Sequence, residues 1–165
     1  MGPLLNWAAG ALVAVAIVVG VLLWRPLRAA WKRAEFDRAR RDFRGQRERL
    51  EAKFFQLAAA SGRPRGLRWT DCEFDDEVTY ARDRATGQLQ ALVAVTIAFE
   101  AIEGGGMEDV QAVGNLRAAT SVFHFDGSQW RTQGRAIFNL NPHEAITYYR
   151  DTLVRVGAGG SQTAG

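Results

Sequence analysis

Residues 88–102, QLQALVAVTIAFEAI, carry the strongest secondary-structure signal in the chain and decide its fold. Apolar side chains recur there at every second position, which is the period of a β-strand, namely at Val93, Val95, Ile97, Phe99 and Ala101. The opposite face is also largely apolar, with Leu92, Ala94 and Ala98. Because both faces are apolar, this strand is predicted to lie in the centre of a sheet.

Four further strands are predicted around this one, at residues 67–74, 77–82, 116–125 and 129–140. A turn over residues 83–87 precedes the central strand, with Gly87 where a positive φ is needed. Three glycines at 104–106 end the central strand, and Asp126-Gly127 is a hairpin signal. The face of this hairpin that is predicted to be core carries Phe123, Phe125, Trp130, Thr132, Ala136 and Phe138, while Arg131, Gln133 and Arg135 occupy the other face.

A short helix is predicted after the sheet. Asn141 is a suitable N-cap, Pro142 suits the first helical position, and Glu144 completes a capping box. The apolar stripe of this helix is predicted to be Ile146, Tyr149 and Leu153. By their glycine, serine and proline content, residues 61–66 are predicted to be a linker and residues 157–165 a disordered tail.

Residues 26–60 are predicted to form a basic amphipathic helix, with Pro26 in its first turn. Its apolar side chains recur every seven residues at Phe36, Phe43, Leu50 and Leu57, and Phe54 lies on the same stripe. Three interpretations stay open at this point. The distal half packs on the sheet, which we favour for residues 50–57. The helix pairs with a copy of itself as a coiled coil, or its proximal half, residues 25–41, lies on anionic lipid.

Residues 4–24, LLNWAAGALVAVAIVVGVLLW, contain no charged side chain. As a helix they would span about 31 Å, close to the hydrocarbon thickness of a bilayer, and Trp7 and Trp24 would lie near its two interfaces. A buried helix normally keeps a polar stripe, and a cleaved signal peptide has a basic start and a small-residue cleavage site. Residues 4–24 have no polar stripe, and the segment has neither a basic start nor such a cleavage site. Residues 1–25 are therefore predicted to be a transmembrane anchor.

The orientation follows from the basic flank of this segment. Arg25, Arg28, Lys32 and Arg33 follow it directly, whereas no basic side chain precedes it. The positive-inside bias therefore predicts a short N-terminus outside and a cytoplasmic C-terminal domain, with the bacterial inner membrane as the expected location. The same cations are expected to contact anionic headgroups over residues 25–41.

The charge of the chain is divided unevenly. Residues 1–65 hold 13 Lys/Arg against 5 Asp/Glu, a net charge of +8, and residues 66–165 hold 8 Arg against 13 Asp/Glu, a net charge of −5. The acidic C-terminal part disfavours nucleic acid as a partner, because binding a phosphate backbone requires excess cations. The single cysteine, Cys72, rules out an intramolecular disulfide.

The predicted fold class is α+β: an N-terminal transmembrane helix, a long basic amphipathic helix, an antiparallel sheet of four or five strands within residues 67–156, and a short C-terminal helix. A helix laid on a curved antiparallel sheet resembles the cystatin-like and nuclear-transport-factor-like architectures. The resemblance lies in element order only, and those architectures host unrelated functions.

No sequence motif predicts catalysis, a metal site or a cofactor. His124 is the best general-base candidate, with Glu100 and Arg131 as conceivable neighbours in a pocket. Cys72 lies among acidic residues that oppose thiolate formation. The acidic run at 71–77 lacks the glycine and closing Glu of a calcium loop, and the glycines at 104–106 lack the Lys of a phosphate loop.

From this pattern we expect a single-pass, membrane-anchored binding or scaffolding module without enzymatic activity, whose acidic domain engages a cytoplasmic protein partner. The alternative is a membrane-tethered domain that binds or converts a small molecule in a pocket between helix and sheet. The interior discriminates between them: a polar cavity would favour the pocket, and an aromatic filling would favour the binding module.

Overall fold

The computed structural model describes residues 2–61, 66–104 and 116–157, and their side chains except at 2–17, 21–23 and 25. The protein is α+β, with a long helix followed by a five-stranded antiparallel sheet and a short C-terminal helix. In chain order its elements are α1 (Gly2–Ala60), β1 (Leu67–Asp83), β2 (Leu89–Ala101), β3 (Arg117–Phe125), β4 (Trp130–Phe138), α2 (Pro142–Tyr148) and β5 (Leu153–Val156).

The chain divides into two compact units, Met1–Arg41 and Asp42–Gly165, and the division falls within α1. The sequence placed the start of a second helix at Pro26, but this proline lies inside α1. Because proline has no backbone N–H, Pro26 removes one helical hydrogen bond. The apolar segment before it and the amphipathic segment after it both favour a helix, so the helix continues through the proline. Among the residues whose side chains are described, no helix is long and apolar enough to cross a membrane. Most side chains of the predicted anchor, residues 1–25, lie outside the described part of the chain.

The sheet has the strand order β4-β3-β2-β1-β5, so β2 is central, as predicted. Val93, Val95 and Ile97 are buried on one face of β2, and Leu92 is buried on the other. The glycine turn before β2 is confirmed, with Gly87 at φ +72°. The segment after β2 is described only to Gly104, so the rest of the predicted glycine loop lies outside the described residues.

The prediction of two short strands at 67–74 and 77–82 was wrong, because both belong to the 17-residue strand β1. The pairing of β1 with β2 shifts register between Phe74 and Val78. The three acidic residues between them therefore form a bulge rather than a turn, a device that bends a strand without ending it. Arg47 of α1 holds this bulge by donating to the backbone carbonyls of Asp75 and Asp76.

The start of α2 is confirmed and its end is not. Asn141 accepts a hydrogen bond from the Glu144 N–H, and the Glu144 carboxylate accepts one from the Asn141 N–H, which is the predicted capping box. However, α2 ends at Tyr148, and Leu153 begins β5, which pairs with β1 from Tyr80 to Asp83. The apolar spacing of three to four residues continued by chance across the turn that separates the two elements.

Residues 42–60 of α1 pack on one face of the sheet, which decides between the interpretations of this half of the helix. Phe43 is fully buried and contacts Tyr80, Phe123 and Trp130 edge-to-face. Within residues 42–60 the stripe that the sheet covers contains Phe43, Leu50 and Phe54, which the apolar spacing indicated.

A smaller core covers the other face of the sheet, beneath α2. It consists of Ala81, Leu92, Val122, Ile137, Ala145 and Leu153. The sequence placed only Arg131, Gln133 and Arg135 on this face of β4. Ile137 was missed because its two charged neighbours on the same face masked the apolar position.

Candidate functional site

Aromatic rings occupy the space between α1 and the sheet. Phe54 contacts Trp69, Phe74 and Phe123, and the rings of Trp69 and Phe99 lie 5.2 Å apart. Rings packed in this manner fill the space mainly with apolar contact area. A small-molecule pocket between helix and sheet would require these rings to be absent or displaced.

The structure does not bring the three pocket candidates to one point. His124 pairs with Arg131 on β4 and with Gln90 on β2. Glu100 lies ten residues further along β2 than Gln90, about 33 Å away at the usual rise of a strand. It pairs across strands with Arg68 through a 2.6 Å ion pair, and both side chains are exposed.

His124 is half-buried, and its Nδ1 is buried without a hydrogen-bond partner among the described residues. Burial lowers the pKa of His124, and the nearby charge of Arg135 lowers it further, while Asp83 opposes both effects. The Asp83 carboxylate is already an acceptor for the N–H groups of Ala85 and Thr86 in the turn before β2. Since His124 Nδ1 makes no hydrogen bond to this carboxylate, Asp83 does not orient the imidazole through that nitrogen as the partner of a general base would.

Arg131 is exposed and is engaged by the hairpin turn between β3 and β4. Its Nε lies 2.8 Å from Oδ2 of Asp126. Hydrogen bonds from Gln129 and Ser128 lower the pKa of Asp126 to about 2, and Arg131 adds a smaller effect. The role of this arginine that the structure supports is to stabilise the turn.

Cys72 is the sole sulfur nucleophile of the chain, and the structure makes it a weak one. Burial raises its pKa to about 12, with a further contribution from Asp71. We expect a thiol reagent such as dithionitrobenzoate to label folded protein at pH 8 at least tenfold more slowly than protein unfolded in urea. Equal labelling rates in the two states would show that the side chain is accessible and ionised, and would reopen a catalytic role for it.

The predicted membrane-interface residues lie in the unit Met1–Arg41. Trp24, Arg28, Lys32 and Arg33 are exposed, and the Arg28 guanidinium lies 4.9 Å from the ring centre of Trp24. The side chains of Trp7 and Arg25 lie outside the described residues. Within this unit, the interface residues thus form an apolar and basic surface of one helix.

Two residues of this surface were missed by sequence reasoning. Leu27 and Trp31 are 56% and 75% exposed and line, together with Trp24, Arg28 and Lys32, an apolar depression along the helix. The spacing 24, 27 and 31 is that of one helical face and could have indicated them. A large exposed aromatic stripe of this kind marks a surface that meets lipid or protein.

A groove of about 710 Å³ lies on the sheet face that α1 does not cover, and no sequence signal indicated it. Small side chains form its floor and carboxylates line its rim. We call it the acidic groove and define it by Glu73, Asp75, Ala94, Thr96, Ala118 and Glu144. Among the described residues, no group of three His, Cys, Asp or Glu side chains is placed to hold a metal ion.

No protein-family model, curated protein or solved structure matches the chain. The likeness to cystatin-like and nuclear-transport-factor-like architectures therefore stays a matter of element order.

Proposed function

We propose that this protein is a membrane-anchored, non-enzymatic binding or scaffolding module that presents a small acidic α+β domain to a cytoplasmic protein partner. The observation that carries the proposal is the aromatic filling between α1 and the sheet, centred on Phe43 and Phe54. Since packed aromatic rings fill that interior, recognition falls to the outer surface. Residues 66–165 of that surface carry a net charge of −5, which favours a cationic protein partner.

The anchor in this proposal is residues 1–25. Support comes from the 21 uncharged residues at 4–24 and from the basic side chains that follow them. The exposed Trp24, Leu27 and Trp31 are suited to the interfacial layer, and Arg28 and Lys32 beside them are suited to anionic headgroups, at about 1 kcal/mol for each cation. The proposed location is a bacterial inner membrane, with a short N-terminus outside and the domain in the cytoplasm.

The second candidate function is a membrane-tethered domain that binds or converts a small molecule. The acidic groove favours it, because about 710 Å³ is within the usual size of a ligand pocket. The groove lies on the outer face of the sheet instead of between helix and sheet, and Glu100, His124 and Arg131 do not line it. The lining of that groove therefore favours binding over catalysis.

The topology test uses the whole chain with a reporter that fluoresces only in the cytoplasm, fused after Gly165 so that β5 stays intact. We expect bright cells and a chain that alkaline carbonate does not extract from membranes. Replacing Arg28, Lys32 and Arg33 together with Gln is expected to reduce the correctly oriented fraction, because the charge bias that fixes orientation is weakened. Replacing Arg82, Arg84 and Arg150 of the domain with Gln is the matched control and is expected to leave orientation unchanged.

A dark reporter combined with an active periplasmic one would reverse the orientation, and extraction by carbonate would remove the anchor. The binding part of the proposal is tested by purifying the intact chain from detergent extracts after crosslinking. Recovery of a stoichiometric protein whose retention falls with salt supports the module. A chain that retains only a small molecule, with no protein, would support the second candidate instead.

A further inference from the structure

Strand β1 has a neighbouring strand along nearly its whole length on the β2 side, but along only four residues on its other side among the described residues. Its pairing with β2 runs from Leu67 to Arg82, whereas its pairing with β5 covers Tyr80 to Asp83. Among the described residues, the earlier part of β1 therefore has no strand on its outer side. An unpaired strand edge offers a row of N–H and C=O groups to an incoming extended chain.

The usable part of this edge is short, because it lies between the register shift at Thr70 and the acidic bulge that follows Phe74. Arg47 occupies the carbonyls of Asp75 and Asp76, so the bulge closes one end. We define the open edge as residues 70–74, five residues or about 17 Å, which is an ordinary strand length. Within the open edge, the Cys72 N–H donates to the Asp71 carboxylate at 2.8 Å. This carboxylate takes the place of the acceptor that a neighbouring strand would supply.

The charge of the open edge selects among possible occupants. Asp71 and Glu73 lie on it, and Asp75 and Asp76 follow directly; all four are exposed. A second copy of this chain would place the same carboxylates opposite one another, which is destabilising for directly opposed like charges. A segment rich in Arg or Lys would instead place its cations against them.

The acidic groove adjoins the open edge. Glu73 belongs to both, and the groove continues across Thr96 and Ala118 towards Glu144 on α2. Side chains of an added strand alternate between the two faces of the sheet. Those on the groove side would lie beside Glu73 and Asp75, where the groove opens, which gives long basic side chains both space and counter-charges.

We propose that residues 70–74 of β1 and the acidic groove form a docking site for an extended basic segment of the protein partner, which adds to the sheet as a sixth strand. This inference rests on the proposed function, since it names the chemistry of the partner. The backbone of the segment pairs with the open edge, and its Arg or Lys side chains on the groove side meet Glu73 and Asp75 at the near end of the groove.

The test uses the full chain in nanodiscs of phosphatidylcholine, which carry no net charge to attract a cationic peptide. The probe is a fluorescent seven-residue peptide of alternating Val and Arg, and the readout is fluorescence polarisation. We expect saturable binding that weakens with salt, and no binding to empty nanodiscs or by the same peptide with Glu in place of Arg. Two further peptides carry N-methyl groups on alternate amides, one set for each edge of the strand. At least one of the two N-methylated peptides is expected to bind tenfold more weakly than the unmethylated peptide.

Glu73→Lys is expected to lower the affinity for the Val/Arg peptide at least tenfold, and Glu73→Gln is expected to lower this affinity less. Asp151→Lys makes the same charge change at an exposed position away from the edge and is expected to change affinity less than twofold. Circular dichroism of all three variants should match the unmodified chain, because neither side chain packs in the core.

Binding that is insensitive both to Glu73→Lys and to N-methylation would overturn the docking site while leaving a membrane-anchored binding module in place. Absence of peptide binding by a chain that still retains its protein partner would do the same. Self-association through β1, detected as a dimer that Glu73→Lys alters, would identify a second copy as the occupant and would also overturn the inference. Loss of the chain from membranes would count against the proposed function alone.

Discussion

Replacing Phe54 with Ala is expected to lower the free energy of unfolding by about 3–5 kcal/mol, the usual cost of removing a large buried aromatic side chain. Phe54 is fully buried between α1 and the sheet, and its ring contacts Trp69, Phe74 and Phe123. The truncation leaves a cavity among rigid rings that cannot close around it, which places the cost at the upper end of core substitutions. A small domain has only about 5–15 kcal/mol in total, so the loss is large.

The measurement is urea unfolding of the full chain in detergent, followed by near-ultraviolet circular dichroism of the packed aromatic rings. Phe55→Ala is the matched control, because Phe55 is the next residue of the same helix and is only partly buried. We expect its cost to be less than half that of Phe54→Ala. Equal effects at the two positions would mean that residues 42–60 of α1 do not dock on the sheet. The binding module would then have no aromatic interior to support it.

Gly134→Ala is expected to cost about 2–5 kcal/mol for two separate reasons. Gly134 has φ +70°, a conformation that costs an L-residue about 1–2 kcal/mol. In addition, a Cβ at this position would lie 2.5 Å from the backbone N of Ala58 and 2.8 Å from the backbone C of Leu57. Since backbone atoms cannot rotate away, α1 would have to shift, which adds an overpacking cost of about 1–3 kcal/mol.

Gly87→Ala separates the two contributions. Gly87 has almost the same φ, +72°, but a Cβ there would meet nothing within 4 Å. It should therefore cost only the conformational part, about 1–2 kcal/mol. The same unfolding experiment compares the two variants. A Gly134→Ala variant no less stable than Gly87→Ala would show that the last turn of α1 does not lie against β4.

Gly134 also explains why β4 departs from regular pairing. Phe123 pairs with Thr132, and Ser121 pairs with Ala136. The two residues on β3 are two positions apart, whereas their partners on β4 are four positions apart, so β4 carries extra residues between the two pairs. This irregularity coincides with the close approach of α1 at Leu57 and Ala58. A glycine in a strand is often the sign of such an approach, yet the sequence cannot say which backbone approaches.

Parts of the candidate site were accessible from the sequence because charge is a local property. The basic flank at Arg28 and Lys32 and the acidic stretch from Asp71 to Glu77 can be found by inspection. That Glu73 lies on an unpaired edge and near Glu144 could not be predicted, because it depends on where β5 and α2 pack. His124 and Glu100 illustrate the converse, since two plausible catalytic residues on neighbouring strands lie at opposite ends of them.

Local sequence patterns were sufficient to predict the features that neighbouring residues control. Alternation from Val93 to Phe99 identified the central strand, the seven-residue spacing identified the packing face of α1, and Asn141 with Glu144 identified the start of α2. Each of these depends on side chains within one or two turns or within one strand, so period and capping chemistry are sufficient to predict it.

Features that depend on distant pairing became visible only in the folded chain. The joining of two predicted strands into β1 requires β2 to continue past the acidic bulge, and β5 exists because Leu153–Val156 finds the end of β1 some seventy residues earlier in the chain. The burial of Ile137 needs α2 to cover that face of the sheet. Strands form hydrogen bonds with strands that are far away in sequence, and side chains are buried by elements that are equally distant. A local sequence pattern does not indicate which distant segment is the partner.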